Sequence, residues 1–228
     1  CLDSCTKILS NNHYWKKALE RRFPSLAPKI EVLTNSIDEV SFLEKKGLSF
    51  CQKYLVYAGS FRLSDKRRTV QALLSPLVKA LKSSSIKKII LIGRFNDADF
   101  EEINYLKASY KKEVEIETLG EMSKSQLFSY FSSASGLLLS SHSYNALPSK
   151  FFDYLGVEKP ILGFCLRASV LSFYLEKTEA CWDVDLEFPE QAEIRSFLKA
   201  SSCERKLVRR NLDFLSRDFF KEKLLSFL

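Results

Sequence analysis

Gly136-Leu137-Leu138-Leu139-Ser140-Ser141, a polar loop, Leu147-Pro148-Ser149-Lys150-Phe151-Phe152-Asp153-Tyr154-Leu155, and then Lys159-Pro160-Ile161-Leu162 form the stretch whose reading decides the fold. Its first part is a short apolar run of strand length. Its middle carries Phe151, Phe152, Tyr154 and Leu155 as a core-facing helical stripe, and its last part returns to a strand at Pro160 to Phe164. The spacing predicts a βαβ unit, whose two strands must be parallel because the crossover is a helix. The loop ahead of the helix then lies at the carboxyl end of a strand, where open parallel sheets bind ligands. Pro148 suits a first helical turn, where its missing amide costs nothing, and the free amides around Ser149 and Lys150 face an anion. Asp153, about one and a half turns further on, reaches a hydroxyl next to that anion. The alternative for Lys150 and Asp153 is the solvated edge of a buried helix.

Outward from this unit the same alternation continues. Strands are expected at Lys29 to Leu33, Tyr54 to Ala58, Lys88 to Ile92 and Val114 to Leu119, with helices at Thr69 to Lys82, Asp97 to Lys112 and Ser123 to Ala134. Asp97 and Ser123 are the expected caps. The fold class is therefore α/β, a Rossmann-like three-layer parallel sheet. Three of the 7 glycines, Gly59, Gly93 and Gly120, stand at strand ends, where glycine lets a ligand approach the backbone. Neither GxGxxG nor GxxxxGK[ST] occurs, which disfavours dinucleotide and P-loop binding.

The 228 residues are 46% hydrophobic, enough for one good core, and no apolar run approaches a membrane span or forms a signal peptide. The six cysteines show no CxxC pair and no metal spacing, so they are read as reduced and cytosolic, and zinc is not expected. A net charge of +7 favours anionic partners. The basic residues are scattered and the aromatics look like core, so nucleic acid is not an expected partner. The chain opens on Cys1, which suggests a piece of a longer polypeptide.

The order of these segments resembles the carboxyl-terminal, nucleotide-sugar-binding half of GT-B glycosyltransferases, in particular the retaining glycosyltransferase family four. Val32-Leu33-Thr34-Asn35-Ser36-Ile37-Asp38 is similar to that family's crossing between its two domains. Tyr57-Ala58-Gly59-Ser60 and Leu91-Ile92-Gly93 resemble its first two strand ends, and Leu147 to Leu155 with Lys159-Pro160-Ile161 its donor motif. The resemblance covers residues 29–228. It implies residues 1–28 as a remnant of the acceptor-side domain and linker, with a strand at Lys7 to Ser10 and a helix at Tyr14 to Phe23, and 29–228 as the donor-binding domain.

The implied activity is transfer of a sugar from a nucleotide diphosphate sugar to a glycan or lipid-linked acceptor, as in polysaccharide biosynthesis. It is hexosyltransferase-like and metal-independent, with the donor as substrate and no cofactor. Asp153 would accept hydrogen bonds from the ribose. The family's second acid falls on Asn145, which can still bond a hexose hydroxyl. Leu147, Pro148, Ser149 and Lys150 would border the diphosphate, with Gly59, Ser60, Gly93 and Gly120 at the strand ends. Arg62, Lys66 and Arg67 would neutralise the departing diphosphate.

The rival reading is a degenerate, non-catalytic interaction module, which Asn145 keeps open. His142 is read as a loop hydrogen-bonder or a general base, and Asp183-Val184-Asp185 as an edge strand that imitates a metal motif. Val208, Leu212, Leu215 and Phe219, with Arg205, Lys206, Arg209 and Arg210, form either a helix packed on the amino-terminal domain or one lying on a membrane. The expected location is cytoplasmic, with a peripheral place at the inner membrane face only under the second of these two readings. The missing amino-terminal acceptor domain would leave the fragment inactive alone.

Overall fold

The strands that read as continuous apolar runs form the middle of a parallel sheet. A computed structural model describes residues 4–36, 53–203 and 217–225. In it β3 (Tyr54–Ala58), β6 (Gly136–Ser141) and β7 (Ile161–Cys165) are buried along their whole length. Such strands need cover on both faces, which only crossover helices supply. β4 (Lys88–Ile92) and β5 (Glu115–Leu119) extend the sheet on one side and β8 (Cys181–Asp185) on the other, giving the order β5-β4-β3-β6-β7-β8 with all pairs parallel. In chain order this is 3-2-1-4-5-6, the doubly wound arrangement, and it reverses direction between β3 and β6.

Alternate residues of each strand feed two cores. Leu55, Tyr57, Leu91 and Leu138 pack under α2 (Val70–Leu81), α3 (Asp97–Ser109) and α7 (Gln191–Ser202). Val56, Ala58, Ile92 and Leu139 pack under α4 (Lys124–Ser133), α5 (Ser149–Leu155) and α6 (Val170–Glu176). The three-layer expectation holds. Gly163 and Gly136 sit where helices press closest, since an added Cβ would lie 2.3 Å from Leu175 and 2.6 Å from Phe197.

Three local expectations change. Asn96, not Asp97, caps α3, because its side chain accepts from the Asp99 amide while the Asp99 carboxylate accepts from the Asn96 amide. That helix ends at Ser109 rather than Lys112. Pro148 is the residue before α5 rather than its first turn, with φ −60° and ψ 134°.

At the amino-terminal end β1 (Ile8–Ser10) and α1 (His13–Arg22) lead through a 3₁₀ turn, Pro24–Lys29, to β2 (Ile30–Val32). β2 pairs in parallel with β1 and not with the large sheet, so the expected strand at 29–33 closes a small βαβ unit of its own. That unit is tied to the rest through Asn12, which is fully buried. Its Oδ1 caps α1 by accepting from the Trp15 amide, and its Nδ2 donates to the Asn145 carbonyl at 2.8 Å. α8 (Arg217–Leu225) follows α7. Arg205, Lys206, Val208, Arg209, Arg210, Leu212, Leu215 and the Phe219 side chain lie outside the described residues, as do Cys1, Cys51 and the Ile37-Asp38 end of the crossing. No described helix is long and apolar enough to cross a membrane.

Candidate functional site

Strand order reverses between β3 and β6, and the two strands part there. Their pairing runs only to Tyr57 opposite Leu138, and the next β3 amide, Ala58, donates instead to the Tyr154 hydroxyl of α5 at 3.1 Å. Two adjoining clefts open at this end of the sheet. One, of about 490 Å³, lies between the loops after β3 and β6, and the other, of about 760 Å³, lies between those after β3 and β4. They share Ala58, Gly59, Ser60 and Lys150.

The walls differ in chemistry. The first cleft is hydroxyl-rich, with Ser60, Ser64, Ser140, Ser141, Ser143 and Ser149 beside Asp65 and Arg68. Leu63, Ile92, Met122 and Leu127 give the second an apolar lining, edged by Arg94 and Glu121. Lys150 stands on the common wall, with Nζ 3.3 Å from the Asp153 carboxylate one turn on.

Backbone shape around the shared wall depends on two glycines. Gly59 and Gly93 have φ of 152° and 147°, and the Gly59 amide donates to the Ile92 carbonyl. A Cβ on Gly93 would lie 2.2 Å from the Gly59 carbonyl oxygen. What comes close at Gly93 is therefore the neighbouring loop, a packing reason added to the ligand-based one. Gly120 differs: a Cβ there would meet nothing within 4 Å, and it lines neither cleft.

Of the expected site residues, the clefts gather Gly59, Ser60, Gly93, Pro148, Ser149 and Lys150. Leu147 is in the core beneath them. Arg62, Lys66, Arg67, Asn145 and Asp153 line neither cleft. Arg62 points to α3, where it bonds the fully buried Asp99 at 3.1 Å and Glu102, while the other Glu102 oxygen accepts from the Gln71 amide of α2. Arg67 forks onto Asp65 through Nε at 3.1 Å and Nη2 at 2.8 Å, and that side-chain bond holds the Asp65 carboxyl down at about 2. Lys66 is exposed. Asn145 is fixed through its backbone, its amide donating to Ser143 Oγ and its carbonyl accepting from Asn12.

His142 is half-buried between two cleft serines, and burial pushes its imidazole below the ordinary range against the pull of Asp65. β8, which carries Asp183 and Asp185, is an edge strand as expected. Asp183 accepts from Ser172 Oγ at 2.8 Å and Asp185 from the Glu187 amide at 2.9 Å. Among the described residues no three His, Cys, Asp or Glu side chains are grouped to hold a metal ion.

The residues the sequence reading missed include Asp65, Arg68, Ser140, Ser141 and Ser143 in the first cleft and Leu63, Met122 and Leu127 in the second. A signal for the serines was present: the buried run of β6 turns to Ser140-Ser141 just where the strand ends. For Arg68 the sequence offers four basic residues in seven, and only the fold of the turn selects one.

No protein-family model matches this sequence, and no curated protein does. Solved structures do resemble it. Sucrose-phosphate synthase from Thermosynechococcus elongatus aligns over 99% of this chain and 58% of its own, at 15% identity and a TM-score of 0.65. HepE of Anabaena, solved in complex with UDP and glucose, aligns over 97% and 62% at 11% identity and 0.63. UDP-GlcNAc 2-epimerase from Methanocaldococcus jannaschii aligns over 99% and 62% at 13% identity and 0.59. At such identities the likeness establishes the fold, a Rossmann-like half of a GT-B fold. The chain spans about 60% of the length of these neighbours.

Proposed function

We propose that this chain is the donor-binding half of a GT-B glycosyltransferase, related to the retaining family four, that takes a sugar from a nucleotide diphosphate sugar and passes it to a glycan or lipid-linked acceptor. The observation that carries this reading is the pair of contrasting clefts meeting at Lys150. An apolar slot beside Ile92, Met122 and Leu127 suits a nucleobase. A hydroxyl-lined cleft suits the polyol of a sugar, and the ammonium of Lys150 between them suits the linking phosphates.

Leaving of a nucleoside diphosphate builds negative charge on the phosphate oxygens while the sugar becomes cationic. Lys150 and the Ser149 hydroxyl are positioned to stabilise that charge, which grows as the glycosidic bond breaks. This role is metal-independent. In the proposed complex Asp153 and Asn145, which stand outside the linings of the two clefts, reach in from the rim, Asp153 accepting from the ribose hydroxyls and Asn145 bonding the sugar. To do so Asp153 must exchange part of its bond with Lys150 for the ligand. The acceptor enters from a second domain opposite the clefts, in keeping with the share of the neighbours' length that this chain spans. The fold alone does not choose transfer over epimerisation, because a UDP-GlcNAc 2-epimerase shares it. The Leu147 to Leu155 motif favours transfer.

Amide chemical-shift mapping tests the site. Adding UDP should move Gly59, Ser60, Gly93, Arg94, Ser149 and Lys150 while leaving the far end of the sheet, around Lys112, unmoved. Shifts confined to surfaces away from both clefts would overturn the assignment.

A further inference from the structure

Asn12 is fully buried, and its side chain is used at both ends. Oδ1 accepts from the Trp15 amide at 2.9 Å and caps α1, while Nδ2 donates to Asn11 Oδ1 at 3.0 Å and to the Asn145 carbonyl at 2.8 Å. The last of these bonds leaves the small βαβ unit and crosses to the loop after β6, 133 residues on. Ser10 Oγ holds Asn12 from the other side, donating to its carbonyl at 2.9 Å. The loop that Asn12 meets is curled on itself. Ser143 Oγ accepts from the Asn145 and Ala146 amides at 3.3 and 3.0 Å, and the Tyr144 carbonyl accepts from the Val170 amide at the start of α6. Ser143 and Ala146 line the hydroxyl-rich cleft. Tyr14 of α1 and Phe173 of α6 meet edge to face, 6.4 Å between centroids, a second contact between the small unit and the large sheet's helices.

Two successive carbonyls of the loop are thus pinned, Tyr144 by α6 and Asn145 by Asn12, and the second pin comes from outside the large sheet. Such bonds hold a site in shape, whereas a loop free to move must be ordered when a ligand arrives, which lowers affinity. The Asn145 peptide that Asn12 holds also sets where the Asn145 side chain emerges at the rim of the cleft. We propose that Asn12 is a positioning residue for the donor sugar: it acts through Asn145 to fix the turn from Ser143 to Ala146, and so couples occupancy of the cleft to the small amino-terminal unit. This inference rests on the donor-site reading above. Coupling between sites is reciprocal, so a ligand that orders the turn must also steady Asn12 and the start of α1.

Asn12→Ser separates the two ends of the side chain, because a serine hydroxyl still caps α1 but is too short to reach Asn145. Asn12→Asp, which keeps the size and the cap but turns an acceptor toward the Asn145 carbonyl, covers the case in which the serine variant fails to fold. Both are titrated calorimetrically with the tightest wild-type ligand among UDP-glucose, UDP-galactose, UDP-N-acetylglucosamine, GDP-mannose and ADP-glucose, and with its parent diphosphate. The sugar conjugate should weaken about fivefold or more, the scale of one lost hydrogen bond, and the diphosphate should stay within about twofold. The diphosphate is spared because Ser149 and Lys150 ride on α5, which Tyr154 ties to β3 independently of Asn12. Amide hydrogen exchange supplies a readout that a merely structural residue would not move. In the wild-type protein the saturating sugar conjugate should slow exchange at the Trp15 amide about threefold or more, and in Asn12→Ser that slowing should vanish.

Equal losses for sugar conjugate and diphosphate, or affinities left unchanged, would make Asn12 a structural residue. Wild-type protein whose Trp15 amide exchanges at the same rate with and without the sugar conjugate would remove the coupling. Each of these results overturns the inference while the donor-site reading stands. Wild-type protein that binds no member of the panel would overturn both.

Discussion

The hydroxyl of Tyr154 in α5 accepts the hydrogen bond of the Ala58 amide in β3, at 3.1 Å, at the level where β3 and β6 cease to pair. A helix side chain thus takes over from a strand carbonyl, and the sheet can open without leaving a buried amide unpaired. Tyr154 is fully buried and its ring packs edge-on against Phe131, 4.9 Å between centroids. Tyr154→Phe should keep the packing and orphan the amide, costing about 1–3 kcal/mol in urea denaturation. A loss below a few tenths would mean that the amide finds another partner.

Glycine substitution separates the strand ends. Gly93→Ala places a Cβ 2.2 Å from the Gly59 carbonyl in a left-handed backbone region, so it should lower the melting temperature and distort the shared wall of the clefts. Gly120→Ala meets nothing within 4 Å and should stay within about 0.5 kcal/mol of wild type. Thermal melts of the two variants give the comparison, and equal effects would contradict it.

Arg62 should prove to be a stability residue. Removing its guanidinium leaves Asp99, fully buried, with its amide bond from Asn96 but no cation. Arg62→Met should cost about 3 kcal/mol, at the low end for a broken buried pair because Arg62 itself is partly exposed. Chemical denaturation measures this. A near-neutral result would return Arg62 to the set of residues free to meet a ligand.

His142 should titrate below its ordinary value of 6.5, since burial disfavours the imidazolium more than Asp65 supports it. The unfolded chain then binds the proton more readily than the folded one. Its contribution to stability is present above about pH 6.5 and is lost as pH falls through that value toward the folded pKa. Imidazole NMR titration checks the midpoint, with His142→Gln assigning the signal against His13. A midpoint above 6.5 would show that the Asp65 carboxylate dominates.

Much of the fold was legible because buried parallel strands and amphipathic helices leave strong periodic marks. Tyr54 to Ala58 and Lys88 to Ile92 lie where the sequence places them. β2 could be read as a strand, but not its partner, since register depends on contacts that no local pattern carries. The lining of the candidate clefts was legible where glycine or a helix start marks it, as at Gly59, Gly93 and Ser149. It was not legible among like charges: Arg62, Arg67 and Arg68 look alike in sequence, and only the positions of Asp99, Glu102 and Asp65 decide which two are neutralised. Gly120 carries the pattern of a strand-end glycine, yet it lines neither cleft and nothing in its surroundings requires glycine there.

The central claim, that the clefts around Lys150 hold a nucleotide diphosphate sugar, is tested most directly by calorimetric titration of the folded protein with UDP, GDP and ADP and their sugar conjugates. Saturable one-to-one binding of at least one is expected. Asp153→Asn should weaken it by roughly 1.5–3 kcal/mol with little change in melting temperature, because a ribose-binding carboxylate loses its charge-assisted hydrogen bonds. No heat with any member of the panel, from protein shown to be folded, would contradict the account and return the chain to the reading of a non-catalytic interaction module.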